Sequence, residues 1–228
     1  MRLDKYLADS LKISRADAKK HLKNKLVKVN NEIITNINFV INDTDIVLFN
    51  DKQIKYQKYI YLMLNKPSGY LSATQDSTDK TVMELIPNEY LFKDLSIVGR
   101  LDKDTEGLLL LTNDGDLIHH LTSPKHTIDK IYYVEHTNKL CDDASMLVQE
   151  GMNIDDYHTL PGVLDIIDDT KCYLTIHEGK FHQVKKMIEK MGSKVTYLKR
   201  VQIKDLKLDI ELGKLRELTN DEVNSLKE

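Results

Sequence analysis

Val98-Gly99-Arg100-Leu101-Asp102-Lys103-Asp104-Thr105-Glu106-Gly107 runs straight into Leu108-Leu109-Leu110-Leu111-Thr112. Four consecutive leucines bounded by turn residues predict a strand buried on both faces. Asn113-Asp114-Gly115-Asp116 closes the run with residues that tolerate positive φ. Upstream, Ser96 to Val98 reads as a short apolar strand. One arginine, two aspartates and a threonine are thus held at the mouth of a rigid core, where a reactive carboxylate would be well oriented.

A carboxylate so placed can serve as metal ligand, general acid or base, or nucleophile. Arg100 and the two aspartates could equally do no more than tie down a turn. Asp102-Lys103-Asp104 resembles the paired aspartates of haloacid-dehalogenase phosphatases, but Glu106 stands where that family needs Thr or Val. The eight histidines are scattered, and His119-His120 with His126 lacks an i, i+4 pair, so no metal site is expected.

Outward from the loop, composition sets limits. The 228 residues are 41% hydrophobic and 30% charged, the balance of a soluble globular chain. No apolar run reaches the roughly 18 residues of a membrane span, and Met1-Arg2-Leu3-Asp4-Lys5 lacks the apolar core of a secretion signal. Cys141 and Cys172 form no CxxC pair, so a reducing, cytoplasmic setting is expected. Net charge is −3 but unevenly spread. Residues 1–30 hold nine Lys/Arg against three Asp/Glu, and residues 180–207 nine against two. Residues 141–170 hold eight acidic residues and no Lys or Arg. Two basic segments on a near-neutral chain suit a polyanion partner, although uneven solvated faces would look the same.

The N-terminal stretch reads as two helices and short strands. Leu3, Leu7 and Leu11 recur at helical spacing, and Ser14-Arg15-Ala16-Asp17 has the form of an N-cap with an acidic third position. Leu26 to Val29 alternates like a strand, Asn30-Asn31 supplies a hairpin turn, and Asp45 to Phe49 closes the unit. Arg2-Leu3-Asp4-Lys5-Tyr6-Leu7, Ser14-Arg15 and Val27-Lys28-Val29-Asn30 together resemble the small RNA-binding domain first described in ribosomal small-subunit protein four. That resemblance covers residues 1–49. It implies that Arg15, Lys19, Lys23 and Lys25 meet RNA phosphates, contacts that position without reading sequence. Residues 50–58 are polar and aperiodic and are expected to be a linker.

Residues 59–228 predict a mostly antiparallel α+β domain. Strands are expected at Tyr59–Leu64, Ile131–Val134, Gly162–Ile167, Lys171–His177 and Val195–Ile203, and helices near 81–86, 116–121, 142–149 and 220–226. Asn65-Lys66-Pro67-Ser68-Gly69 is a turn whose Lys66 could contact phosphate. In Lys180-Phe181-His182-Gln183-Val184-Lys185-Lys186-Met187 the apolar positions share a helical face that includes Phe181, with Gly192 as a stop. Lys180 falls at a strand-to-helix junction, and Lys185 and Lys186 are expected to face solvent.

Gly99-Arg100-Leu101-Asp102 with Thr105 and Gly107, then Lys130-x-Tyr132, then Gly179-Lys180-x-x-Gln183-Val184, is similar to the pseudouridine synthases, and with the N-terminal domain to their ribosomal small-subunit branch, called RsuA. The resemblance spans nearly the whole chain. It implies isomerisation of a uridine in ribosomal RNA, most simply that of the small subunit. A large-subunit site, or a non-catalytic RNA-binding assembly factor, is the alternative. Asp102 would be the nucleophile, attacking at the sugar C1′ or the uracil C6, with Tyr132 stacked on the uracil and Lys180 paired with the aspartate. Arg100, Gln183 and Lys66 would bind substrate, and Lys185 and Lys186 would bind RNA. No cofactor is implied. The expected partner is ribosomal RNA or a subunit assembly intermediate, met by a monomer.

Overall fold

In the computed structural model, which describes residues 1–228 apart from 12, 43, 57, 92, 93 and 124, the chain divides into two units, Met1–Tyr59 and Ile60–Glu228. In the first, α1 (Leu3–Leu11) and α2 (Arg15–Lys23) pack on a sheet. Its strands are β1 (Val27–Val29), β2 (Glu32–Ile33), β3 (Val47–Phe49) and β4 (Lys52–Gln53), in the antiparallel order β2-β1-β3-β4. Leu3, Leu7, Ala18, Leu22 and Val27 are fully buried between them. Ser14 caps α2 by accepting from the Asp17 N–H at 3.1 Å. The Asp17 carboxylate accepts the Ser14 hydroxyl proton at 2.7 Å, rather than reaching back to the cap backbone as a capping box would.

Two tight hairpins close this sheet, each on a pair of residues at positive φ: Asn30 and Asn31, then Asn50 and Asp51. The second corrects the expected linker. Lys52–Gln53 pairs with β3, and the Tyr6 hydroxyl donates to the Ile54 carbonyl at 2.8 Å, so most of residues 50–58 belong to the first unit. Gln57 lies outside the described residues. A polar, aperiodic stretch concealed a two-residue strand because both its side chains are exposed.

The second unit contains β5 (Tyr61–Lys66), α3 (Asn88–Leu91), β6 (Ser96–Val98), β7 (Glu106–Thr112), α4 (Gly115–Thr122), β8 (Lys130–His136) and α5 (Ala144–Glu150). It continues through β9 (Asn153–Ile154), β10 (Tyr157–His158), β11 (Val163–Asp168), β12 (Lys171–Ile176), α6 (Gln183–Lys190), β13 (Val195–Ile203), β14 (Leu206–Lys207), β15 (Leu215–Glu217) and α7 (Asn220–Lys227). The main sheet runs β11-β12-β8-β13-β7-β5-β15, with β6 on β7 and β14 on β13. Every pairing in it is antiparallel except β13 with β7. Among the described residues no helix is long and apolar enough to cross a membrane.

Both faces of this sheet are covered, which is why the centre of β7 is four consecutive leucines. Leu109 and Leu111 pack with Val184, Met187 and Ile188 of α6. Leu108 and Leu110 pack with Leu117 and Leu121 of α4 and Leu226 of α7. Each buried leucine contributes roughly 1.5–3 kcal/mol, so the strand beneath the acidic loop is among the firmest in the fold. At the parallel junction Gly107, at φ +106°, faces Arg200; a Cβ there would sit on the Arg200 carbonyl oxygen and 2.7 Å from its nitrogen. The two antiparallel halves of the sheet join at this short parallel contact, where Lys199 pairs with Glu106 and Arg200 with Gly107.

Candidate active site

The loop from Gly99 to Thr105 enters β7 and is held by two buried cations. Lys66 is fully buried, and its ammonium donates to the carbonyls of Pro67 and Lys103 at 3.1 Å and Thr105 at 2.8 Å. Burial pulls its pKa down to about 8. Lys66 is therefore a brace for the loop, and the expectation that it binds substrate phosphate is corrected. Sequence could not reveal this, because the chain turns after Lys66 and folds the side chain inward. Arg200, 1% exposed, donates from Nε to the Leu108 carbonyl at 2.8 Å and from Nη2 to the Gly99 carbonyl at 2.9 Å. Ser72 completes the clamp, its hydroxyl accepting from Leu101 N–H at 3.0 Å and donating to Leu101 O at 2.8 Å.

So held, Asp102 is 28% exposed at the rim of a cavity of about 60 Å³. Tyr132, on β8, is 7% exposed and forms its wall; the hydroxyl has no hydrogen-bond partner among the described residues. Arg100 and Lys180 also line the cavity, both side chains exposed. At this size the space accepts a few waters. A nucleoside needs the rim side chains to move.

The cation facing Asp102 is Lys185. Its ammonium lies 3.3 Å from Asp102 Oδ2 and donates to both oxygens of Asp104, at 2.6 and 2.8 Å. Burial opposes that charge, but the bond to Asp104 and the charge of Asp102 outweigh it and hold the Lys185 pKa above the ordinary lysine value. The same pairing overcomes desolvation to keep Asp104 below the usual carboxylate range. Lys180, expected to pair with Asp102, turns away: its ammonium stands 5.6 Å from the centre of the Tyr157 ring. The reason is local. The Gln183 side-chain oxygen accepts from Lys180 N–H at 3.1 Å, fixing the backbone before α6 begins. Lys185, a helical turn's breadth further on, sits at the border of the apolar stripe beside buried Val184. That border position was the available signal, and the even run of lysines hid it.

Further corrections concern this helix start. Gln183, expected to bind substrate, is 3% exposed, and its amide also donates to Glu178 Oε1 at 2.9 Å, so it braces the loop. Lys185 and Lys186 are half-buried rather than projected to solvent, Lys186 bonding Asp155 at 2.6 Å. Phe181 precedes the helix, 74% exposed and stacked on His182 with ring centres 3.8 Å apart. His182, left-handed at φ 53°, brings Nε2 to 3.7 Å from Asp102 Oδ1; sequence reasoning gave it no role.

In the first unit Arg15, Lys23 and Lys25 are exposed and Lys19 is half-buried. Lys20 on the same helix is bonded to Asp17 at 2.8 Å.

Comparison with known proteins gives the chain's family. The family model for RNA pseudouridylate synthase matches residues 60–190, and the S4 domain model matches residues 1–47. An uncharacterized RNA pseudouridine synthase of Bacillus subtilis is 41% identical over 100% of this chain and 99% of its own. Ribosomal small subunit pseudouridine synthase A of Vibrio cholerae is 38% identical over 99% of each, and that of Escherichia coli 37% identical over 99% of this chain and 100% of its own. A crystal structure of a pseudouridylate synthase superposes with a TM-score of 0.70 at 37% identity, covering 99% of both chains. The chain belongs to the RNA pseudouridine synthase family and carries an S4 domain at its N-terminal end.

Proposed function

We propose that this chain converts one uridine of small-subunit ribosomal RNA to pseudouridine, with Asp102 as the nucleophile. One observation carries the reading: Asp102, Tyr132 and the Lys185 ammonium meet around a single cavity. The small subunit is favoured by the Vibrio and Escherichia relatives, both ribosomal small subunit pseudouridine synthase A, which the chain matches nearly end to end.

The chemistry follows from the groups present. A nearby opposite charge favours the ionised carboxylate, so Lys185 keeps Asp102 ready to attack. The nucleoside is turned out of its stack, at a cost of a few kcal/mol. As Asp102 attacks, the N1–C1′ bond breaks and its electron pair stays on the uracil, which turns to present C5. C5 then bonds to C1′ as the carboxylate is released, and the proton lost from C5 is matched by one gained at N1, so nothing is consumed. Tyr132 supplies a flat wall for the base and a free hydroxyl near that proton. Arg100, exposed at the rim, and Phe181, exposed between the cavity-lining Lys180 and His182, are placed to meet RNA as the base leaves the stack. Arg15, Lys19, Lys23 and Lys25 of the S4 domain supply phosphate contacts.

The test is conversion of small-subunit ribosomal RNA transcript, read as carbodiimide-dependent primer-extension stops. Wild type is expected to give one new stop, and Asp102→Asn none while still binding the transcript. A fully active Asp102→Asn protein overturns the assignment.

A further inference from the structure

Tyr132 has a cavity on either side. The second is much larger, about 560 Å³, and shares Arg100, Tyr132, Gly179 and Lys180 with the cavity beside Asp102. Its volume lies within the range of ligand sites. Two buried cations line it: Arg200, 1% exposed, and Lys130, 9% exposed. Lys130 donates only to backbone carbonyls, of Ile128 at 3.1 Å and His177 at 3.3 Å. Arg200 bonds carbonyls through Nε and Nη2, and among the described residues Nη1 has no acceptor. Neither cation has a carboxylate within ion-pair distance among the described residues.

Such an arrangement is expensive, because a buried charge needs a counter-charge as well as hydrogen bonds. The strain is legible in Lys130, whose pKa falls to about 8 through burial first and the Arg200 charge second. The carboxylate that lines the cavity, Glu178, is already engaged: its Oε1 accepts from Leu160 N–H and from Gln183 Nε2, each at 2.9 Å. His177 faces Asp129 at 2.8 Å. The remaining polar edge is cationic, from Arg100 and Lys180. The opposite wall is apolar, formed by Ile97, Ile118 and Leu121. A metal cation is excluded by the sign of the charge. A ligand that fits has an anionic group and a flat apolar body.

We propose that this second cavity holds a nucleotide adjacent to the target uridine, its phosphodiester against Arg200 and Lys130 and its base against Ile97, Ile118 and Leu121. The inference rests on the proposed function and extends it, giving the enzyme a reason to act on a uridine within a strand rather than on free uridine. Binding the neighbour also helps offset the unstacking of the target. Because Arg200 Nε and Nη2 hold Leu108 and Gly99, phosphate at Nη1 would be felt directly by the loop that carries Asp102.

The test uses a synthetic RNA bearing the uridine that the conversion assay maps, with a single neutral methylphosphonate at each nearby linkage in turn. Equilibrium binding and single-turnover conversion are measured for the full-length wild type, Lys130→Met and Thr122→Trp. Thr122 is exposed on the last turn of α4 at the cavity edge, so a tryptophan there obstructs the space without entering the core. Thermal melting checks that each variant is folded. In wild type, one linkage within two nucleotides of the uridine is expected to weaken binding about tenfold when neutralised. Lys130→Met should reduce that penalty to less than twofold, and Thr122→Trp should bind about tenfold more weakly and ignore the substitution. Equal penalties in all three proteins, or a Thr122→Trp protein that binds like wild type, overturn the proposal. If no ribosomal uridine is converted, the reading of the Asp102 site falls separately. The cavity is then judged by binding of heptauridylate, and a Thr122→Trp protein that binds it as tightly as wild type rejects the cavity too.

Discussion

The Lys185 ammonium stands 3.3 Å from Asp102 Oδ2 while holding both oxygens of Asp104, so one lysine spans the two aspartates of the loop. A hydrogen bond to a charged group contributes roughly 1.5–3 kcal/mol, or about ten- to hundredfold in rate when it acts on the reacting carboxylate. Lys185→Met is therefore expected to slow single-turnover conversion by about that factor. Lys180→Met should change KM more than the chemical rate. Rapid-quench measurements at saturating RNA separate the two, and equal rate losses in both variants would return the pairing role to Lys180.

Gly107 and Gly115 make a matched pair eight residues apart in β7 and α4. A Cβ on Gly107 collides with the Arg200 backbone, and φ +106° is closed to alanine, so Gly107→Ala is expected to lose more than about 3 kcal/mol. Nothing lies within 4 Å of a Cβ on Gly115, in the first turn of α4. Gly115→Ala should be neutral or stabilise by up to about 1 kcal/mol. Urea titration of both variants decides; a stable Gly107→Ala protein would mean the sheet halves can separate without loss.

What could be read from the chain and what could not divide along physical lines. Patterns that depend on burial of whole side chains were legible: the continuous leucine run of β7 and the apolar stripe of α6. The grouping of Asp102 with Tyr132 came only with the resemblance to the pseudouridine synthases, since the two lie 30 residues apart. The fates of single charged atoms were not legible. Lys66 and Gln183 look like solvent-facing polar residues in sequence, yet both are buried against backbone or side-chain partners set by tertiary packing. Lys180 and Lys185 differ only in which side of a helix start they occupy. Short exposed strands such as β4 also escaped, because no hydrophobic period marks them.

Lys66 gives the fold an alkaline signature. Its pKa is about 8 in the folded chain against 10.5 for an unhindered lysine, so between those values the unfolded chain binds more protons. Stability from this group therefore rises with pH across that window. The stability gap between wild type and Lys66→Met is expected to widen from pH 8 to pH 10, measured by urea titration at each pH. The variant also removes the ammonium from three carbonyls, of which Lys103 O keeps the Gly69 N–H at 2.8 Å, a loss of about 1–3 kcal/mol at neutral pH. A gap that narrows with pH would show that the amine is charged throughout.

The C-terminal helix carries a signature of the same sign at the acid end. Arg216 bonds both oxygens of Glu222, at 2.6 and 2.8 Å, and both of Asp209 at 2.9 Å. Led by the Arg216 bond, the Glu222 pKa drops to about 2 from 4.5. A depressed carboxylate stabilises the fold above its unfolded pKa and loses that effect as pH falls through the folded one. Glu222→Gln should therefore be less stable than wild type at pH 6, with the difference shrinking from about pH 4.5 toward pH 2. Acid titration followed by circular dichroism checks this, and a constant difference would assign the loss to packing.

The S4 domain offers a comparison within one helix. Arg15, Lys19 and Lys23 have no bonded carboxylate among the described residues, whereas Lys20 is held by Asp17 at 2.8 Å. Phosphate neutralisation releases counterions, so each contact adds about 0.7–0.9 to the slope of log affinity against log salt. Replacing Arg15, Lys19 and Lys23 together with Gln is expected to lower that slope by about two to three. Lys20→Gln should change it by much less, because the lysine it removes is already neutralised by its neighbour. Filter binding of ribosomal RNA transcript between roughly 50 and 200 mM salt resolves the difference. Equal slopes for the triple variant and the wild type would take this helix face off the RNA, leaving the polyanion to the basic segment of the second unit.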